Sequence, residues 1–229
     1  LGLVGSEMCI RDSPYHAPGF CEGSAWQFTW YVPHDVKSLI NLIGERQFID
    51  RLNAGFATSE KVSFNALGDN MGAYPINHGN ETNMQAAYLF SYTSEPWHTQ
   101  KWARAIQEKY YGMGPRDAYP GDEDQGQMSS WYILSSIGLF QMDGGCSKDP
   151  VWLLGSPRFD RVEILLDNTY YSGKKLIIKA ENVSKDNCYI QYVRFNNKRL
   201  SNNYIEWSKL KKGGTLPVSY THLRAHETE

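Results

Sequence analysis

The sequence predicts an α+β chain, with helices first and strands second. Apolar residues between positions 24 and 140 recur at three- and four-residue spacing, the period of helices with one buried face. After Pro150 the pattern changes to short runs rich in β-branched and aromatic residues. Asn196-Asn197 has the chemistry of a hairpin turn ahead of Arg199-Leu200. Helices segregated from an antiparallel sheet point to two modules.

Asp35 can cap a helix that begins after Pro33-His34, with Val36, Leu39, Ile40 and Ile43 on one face and Gly44 placed to end it. A second helix fits Glu45 to Phe56, and a third Thr82 to Tyr92. Ser94-Glu95-Pro96 opens a fourth, since serine caps well and proline is tolerated in the first turn. Its Ala103, Ile106 and Tyr110 share a face. Gly126 to Leu139 gives a fifth, with Met128, Trp131, Tyr132 and Ser135 in register. Strands are expected over residues 151–154, 161–166, 175–180 and 188–195.

The balance of 23 basic against 25 acidic residues, a net charge of -2, gives no electrostatic reason to expect a nucleic acid or an anionic membrane as partner. No apolar run approaches the length of a membrane span. Aromatic residues make up 14% of the chain, which suits either a well-filled core or a cleft where sugar rings stack on indole and phenol faces. The four cysteines, Cys9, Cys21, Cys146 and Cys188, lack the spacing of a zinc ribbon or a redox pair, and the sequence selects no disulfide among them.

Both ends read as foreign. Leu1 to Ser13 (LGLVGSEMCIRDS) has no helical or strand period and resembles translated adaptor sequence, as does the tail from Pro217 (PVSYTHLRAHETE). The expected division is a non-native leader over 1–13, a helical domain over 14–150, a β region over 151–216 and a non-native tail over 217–229, with few contacts at either end.

Three clusters could carry chemistry. In Phe20-Cys21-Glu22-Gly23-Ser24-Ala25-Trp26-Gln27-Phe28 one carboxylate stands beside a glycine before an aromatic-rich helix. An apolar surround would keep Glu22 protonated and fit it for general-acid work. The plainer alternative is a helix-start residue that complements the helix dipole. In His78-Gly79-Asn80-Glu81-Thr82, carboxylate and amide oxygens suit a hard cation such as calcium, or form a simple turn and cap. Asn80-Glu81-Thr82 and Asn182-Val183-Ser184 are also glycosylation sequons. The third cluster, Tyr119-Pro120-Gly121-Asp122-Glu123-Asp124-Gln125-Gly126, crowds three consecutive acids between glycines. That is a solvated turn, a catalytic base or a cation site. Two separate carboxylate clusters suit a hydrolase in which one acid protonates a glycosidic oxygen and the other activates water.

The strings CEGSAWQFTWYVPHD, GNET…AYLF, EPWHTQKW, GDEDQGQMSSWYILSSIGLF and GSPRFD resemble glycoside hydrolase family 92, in the family's order, over Phe20 to Asp160, with a weaker match continuing to Leu216. The resemblance implies the later helices of an (α/α)6-barrel catalytic domain followed by a small antiparallel β region. It also implies an upstream β-sandwich domain on the same polypeptide, so that this chain by itself would be inactive, poorly folded and bare at Trp26, Trp30, Trp102 and Trp131. The implied chemistry is calcium-dependent, inverting, exo-acting hydrolysis of terminal α-linked mannose in glycan breakdown, in a secreted or periplasmic setting. By position Glu22 would be the general acid. Asp124 would be the general base, with Asp122 supporting or sharing that role. Glu81 and the Asn80 carbonyl would bind calcium, and Trp26, Gln27 and His78 would line the sugar pocket. Inversion would set the Glu22 and Asp124 carboxyls roughly 6.5–9.5 Å apart.

Two departures from the family pattern bear on specificity. Relatives with a histidine pair after Gly-Asn-Glu contrast with Asn83-Met84-Gln85 here, and those selective for α-1,2 links carry His-Glu where this chain has Ile76-Asn77. Retention of Glu22 argues against the family's branch acting on mannose-phosphate diesters, where glutamine is expected. The competing classes are a non-catalytic sugar-binding or scaffold relative and another α/α-barrel glycosidase.

Overall fold

The structure, a computed structural model, describes Phe20 and residues 22–65, 72–119 and 121–223. The expected leader over 1–13, Cys9 and Cys21 lie outside the described residues. The helices are α1 (Ala25–Phe28), α2 (Val36–Ile43), α3 (Glu45–Ser59), α4 (Glu81–Met84), α5 (Trp97–Lys109) and α6 (Gln127–Ile137), with 3₁₀ turns at Glu60–Val62 and Ala86–Tyr92. The strands follow: β1 (Leu139–Gln141), β2 (Val151–Leu154), β3 (Arg161–Leu165), β4 (Lys175–Glu181), β5 (Tyr189–Phe195), β6 (Lys198–Arg199), β7 (Tyr204–Glu206) and β8 (Gly214–Thr221), with the short helix α7 (Trp207–Leu210) before β8. The chain is thus α+β, with helices and strands in the expected order.

The described residues form two compact units, one from those up to Leu89 with Ala105–Ser130, the other from Phe90–Arg104 with Trp131 onward. In the first, Asp35 accepts a hydrogen bond from the Ser38 amide and Gly44, at φ 85°, closes α2 through a bond to the Ile40 carbonyl. Helix α3 buries Phe48, Ile49, Leu52, Gly55 and Phe56 along one face. Trp30 meets Phe48 edge to face at 5.5 Å. Phe56 meets Phe64 at 6.1 Å in the same manner. The expected helix over Thr82–Tyr92 is instead one α turn followed by a 3₁₀ segment. The Asn83 and Gln85 side-chain amides both donate to the Thr82 carbonyl, at 3.0 and 2.9 Å, and so occupy the acceptor that an α-helical Ala86 amide would use.

In the second unit the strands make two sheets. A three-stranded sheet runs β1-β2-β7, and a five-stranded sheet runs β3-β4-β8-β5-β6. The expectation of a purely antiparallel region is corrected here, because β4 and β8 pair in parallel from Leu176↔Gly214 to Glu181↔Ser219. Asn196 and Asn197 take left-handed φ values of 48° and 67° and turn β5 into β6, as a two-residue hairpin requires. The core joins Leu176, Ile178, Val193, Phe195, Leu216, Val218 and Tyr220 to Leu139, Leu154 and Ile205.

Two further expectations are overturned. Pro217 to Thr221, read as a tail with few contacts, belong to β8, the middle strand of five, flanked by β4 and β5. Their alternation places Val218 and Tyr220 in the core at 3% and 2% exposure. Trp30, Trp102 and Trp131 are not bare, being no more than 2% exposed. Trp26 is half-buried with the Arg51 guanidinium 5.9 Å above its ring.

Leu216→Ala should destabilise the chain by about 2–5 kcal/mol through the cavity it leaves in the centre of the sheet. Leu165→Ala, at a position 81% exposed, should change stability by less than about 0.5 kcal/mol. Denaturant unfolding of the two variants checks this, and equal effects would remove β8 from the core.

Candidate active site

The candidate site is built from three loops of the first unit, ahead of α1, α4 and α6. Glu22 sits in the first loop with a left-handed φ of 54°. Its carbonyl accepts a hydrogen bond from the Asn80 side-chain amide, which ties the first loop to the second. Two more side-chain amides brace the same join: Asn83 Nδ2 donates to the Gln27 carbonyl at 2.9 Å and Gln85 Nε2 to the Trp30 carbonyl at 3.3 Å. Asn83 and Gln85 therefore serve as backbone clasps.

The third loop places its three acids differently. Glu123 accepts hydrogen bonds from the amides of Gly126 and Ser129 and caps α6. The bonds from Ser129 hold its carboxyl below the ordinary range. Asp122 is exposed and Asp124 half-buried. Asp124, Gln125 and Gly126 take left-handed φ values of 55°, 58° and 97° in succession. Side-chain-bearing residues in that region cost of order 1 kcal/mol or more each, and such strain gathers at functional sites. Partial burial pushes the Asp124 carboxyl up, and the charges of Glu81, Asp122, Glu22 and Glu123 push it further in that order. Acids from all three loops thus share one electrostatic neighbourhood. Of the three acids, Glu123 is the one committed to capping α6.

Sequence reasoning placed Tyr110 on a helix face and passed over Tyr111, yet these two rings hold the second and third loops together. A Cβ on Gly79 would lie 2.7 Å from the Tyr110 hydroxyl, and one on Gly121 would lie 2.8 Å from it, so both backbones close on that oxygen only because neither residue has a side chain. Burial pushes the Tyr110 phenol far above its usual range. His78 meets Tyr110 edge to face at 5.0 Å and shares a hydrogen bond of 2.8 Å with the Tyr111 hydroxyl. Burial holds its pKa down to about 3, so its ring is neutral. The usable signal was the adjacent tyrosine pair at the end of a helix.

The remaining expected site residues are placed as follows. Glu81 is half-buried at the start of α4, and Asn80 is 5% exposed. Gln27 and His78 are fully buried, and the Gln27 amide donates to the Tyr74 carbonyl at 2.9 Å. Both therefore lie beneath the surface rather than on it. Glu22 is exposed, so the apolar surround expected for it is not built by the described residues. Ile76 and Asn77 are buried, with Asn77 Oδ1 accepting from the Gly79 amide at 3.2 Å. Among the described residues no group of three or more His, Cys, Asp or Glu side chains is assembled to hold a metal ion. The chemistry of the donors nonetheless fits a hard cation, because the carboxylates around Asp124 repel one another and every donor is oxygen.

Residues 7–222 match the glycosyl hydrolase family 92 catalytic domain. The chain belongs to that family. Among solved structures, a family GH92 α-mannosidase from Bacteroides thetaiotaomicron superposes with a TM-score of 0.78 at 31% identity, over 94% of this chain and 27% of that one. A family GH92 inverting mannosidase from the same species gives 0.78 and 31%, over 94% and 30%. A sequence relative described as an uncharacterized secreted glycosidase, from Arthroderma benhamiae, is 29% identical across 86% of this chain and 23% of its own length. The chain thus spans about a quarter to a third of the length of these relatives.

The pKa of Asp124 gives a pH signature for this family member. A carboxyl whose pKa is raised on folding binds its proton more tightly in the native chain than in the unfolded one. Stability is therefore lost as pH rises from the ordinary 3.8 through the raised native value. Asp124→Asn should remove that loss and raise the unfolding midpoint at neutral pH, with no gain at pH 3. A variant less stable than the parent at neutral pH would contradict the crowding of the acids.

Proposed function

We propose that this chain is the catalytic-domain segment of a calcium-dependent, inverting exo-α-mannosidase that removes terminal α-linked mannose from glycans. In this reading residues 14–150 supply the later helices of an (α/α)6 barrel, and a further domain of the same polypeptide completes the sugar pocket. The observation that carries the reading is the convergence of Glu22, Glu81, Asp122 and Asp124 on one electrostatic neighbourhood, from separate loops whose backbone is strained at Glu22 and Asp124. The family membership and the inverting mannosidase among its relatives support it.

Glu22 donates its proton to the glycosidic oxygen as the bond to the leaving group lengthens. Asp124 removes a proton from water that attacks the opposite face of the anomeric carbon, and Asp122 holds that water or shares the proton. Glu123, tied to the amides ahead of α6, fixes the loop that carries both aspartates. Trp26 gives the sugar an aromatic wall, while Gln27 and His78 support the pocket from behind. Glu81 and the Asn80 carbonyl would hold calcium, which supplies positive charge for the sugar hydroxyls and favours a distorted ring. The buried Ile76-Asn77 offers no His-Glu pair to an α-1,2-linked neighbour, so the reading carries no α-1,2 preference.

In the intact polypeptide, Glu22→Gln should lower turnover by about 10²–10⁴-fold on an unactivated mannoside. The loss should be much smaller with an activated aryl leaving group, which needs no protonation. Equal losses on the two substrates, compared by initial rates, would reject the acid role.

Exhaustive chelation should abolish hydrolysis, and calcium should restore it where zinc does not, as an all-oxygen donor set requires. Full activity in chelator, measured on the same substrate, would remove the ion from the mechanism.

A further inference from the structure

The second unit carries a cavity that the hydrolytic reading does not use. It measures about 620 Å³ and is lined by Trp152, Trp207, Lys148, Leu134 and the loop that includes Gly144 and Gly145. That volume lies within the range of small-molecule sites. We propose that this cavity is an accessory glycan-binding site, in which sugar rings stack on Trp152 and Trp207 while the Lys148 ammonium donates to their hydroxyls. The proposal rests on the reading of the polypeptide as a hydrolase of glycans.

The two indoles lie 6.1 Å apart with their planes tilted by 41°, and both are half-buried, so each is held while still presenting surface. Their supports are specific. Trp152 lies on β2, the middle strand of its sheet, opposite Gln141 and Ile205. Trp207 is braced edge-on by Tyr171 at 5.5 Å, and its amide donates to the Pro150 carbonyl at 2.9 Å. Asp149 fixes the next residue by accepting from the Ser208 amide at 2.8 Å and its hydroxyl at 2.6 Å. The rim is equally ordered: the Asp143 carboxylate accepts from Gln141, Ser147 and the Gly145 amide. A preformed rim avoids ordering costs on binding.

Three features favour a glycan over an apolar occupant. The rim residues Gly144, Gly145, Ser147 and Lys148 are exposed, and a Cβ at either glycine would meet nothing within 4 Å, so the mouth has room for a chain to pass. Lys148 makes no hydrogen bond or ion pair among the described residues and is available as a three-proton donor. Aromatic faces beside an available polar donor match the alternation of C–H faces and hydroxyls on a pyranose ring.

The test uses the intact polypeptide carrying Glu22→Gln, so that binding is read without hydrolysis, with α-mannan immobilised in a native gel as the probe. Retardation by mannan is expected. It should weaken about tenfold in a Trp152→Ala/Trp207→Ala double variant, the loss of roughly one stacking anchor. Lys148→Ala, at an exposed residue outside the core, should weaken it by a smaller but measurable factor. With Glu22 intact, the same cavity variants should hydrolyse an aryl α-mannoside within about twofold of the parent. Absence of retardation in the parent, or retardation unchanged by both sets of variants, would overturn the accessory site. Failure of the polypeptide with Glu22 and the cavity intact to hydrolyse aryl α-mannoside would instead count against the proposed function, whatever the gel shows.

Discussion

The Tyr110 hydroxyl has to sit where two backbone segments, at Gly79 and Gly121, approach more closely than any side chain would allow. A phenol buried to that degree stays neutral and remains a donor, here aimed at Met128 Sδ at 3.7 Å. From this contact the positions of the second and third loops follow. Gly79 leads directly into Asn80 and Glu81, and Gly121 into Asp122 through Asp124. Asn80 then reaches back to the Glu22 carbonyl and brings in the first loop. The candidate site is therefore set by one aromatic ring with glycines on either side, and its carboxylates are the consequence of that packing.

Bringing those carboxylates together is unfavourable in an uncharged environment, and the chain shows the cost in two forms. The Asp124 carboxyl is pushed up by burial and by its acidic neighbours. The backbone at Glu22 and at Asp124 and Gln125 sits in the left-handed region that side chains avoid. Stability in this unit has to come from elsewhere, and the clasping amides of Asn80, Asn83 and Gln85, together with the buried face of α3, are where it is visible. A local loss balanced by rigid surroundings is the expected arrangement for a site that must hold charge ready for a substrate or a cation.

What was legible in the sequence follows from how local its physics is. Asp35 and Gly44 fixed the limits of α2 because capping involves neighbouring residues. Asn196-Asn197 marked its hairpin for the same reason. The helix over Thr82–Tyr92 was misread because its hydrophobic period is sound, while the competing amides of Asn83 and Gln85 act through the Thr82 carbonyl, which no periodicity reports. Strand β8 was missed because Pro217 is a poor resident of a central strand and the following residues resemble adaptor sequence. The alternation of Leu216, Val218 and Tyr220 across that boundary was the signal, and it is the core of the sheet. In the candidate site, the three carboxylate-bearing loops were visible in the sequence, each with a plainer reading as a turn or cap beside the functional one. That Glu123 caps α6 was not, because it depends on which carboxylate meets the amides of Gly126 and Ser129.

The core of the large sheet and the loops of the candidate site are held in different ways, and this bears on where function can reside. Within the second unit the core of the large sheet is apolar, with Leu176, Ile178, Val193, Leu216 and Val218 meeting across three neighbouring strands, while His98, Thr99, Gln100 and Arg104 are buried elsewhere in the same unit. Such a core gains stability from area removed from water and tolerates few polar insertions. The first unit buries Gln27, Asn77, His78, Asn80 and Asn83. Buried amides and a neutral imidazole are stable only when their partners are in place, so their geometry is specified more sharply than that of an oily core. A loop that must present a carboxylate at a fixed position needs that kind of specification.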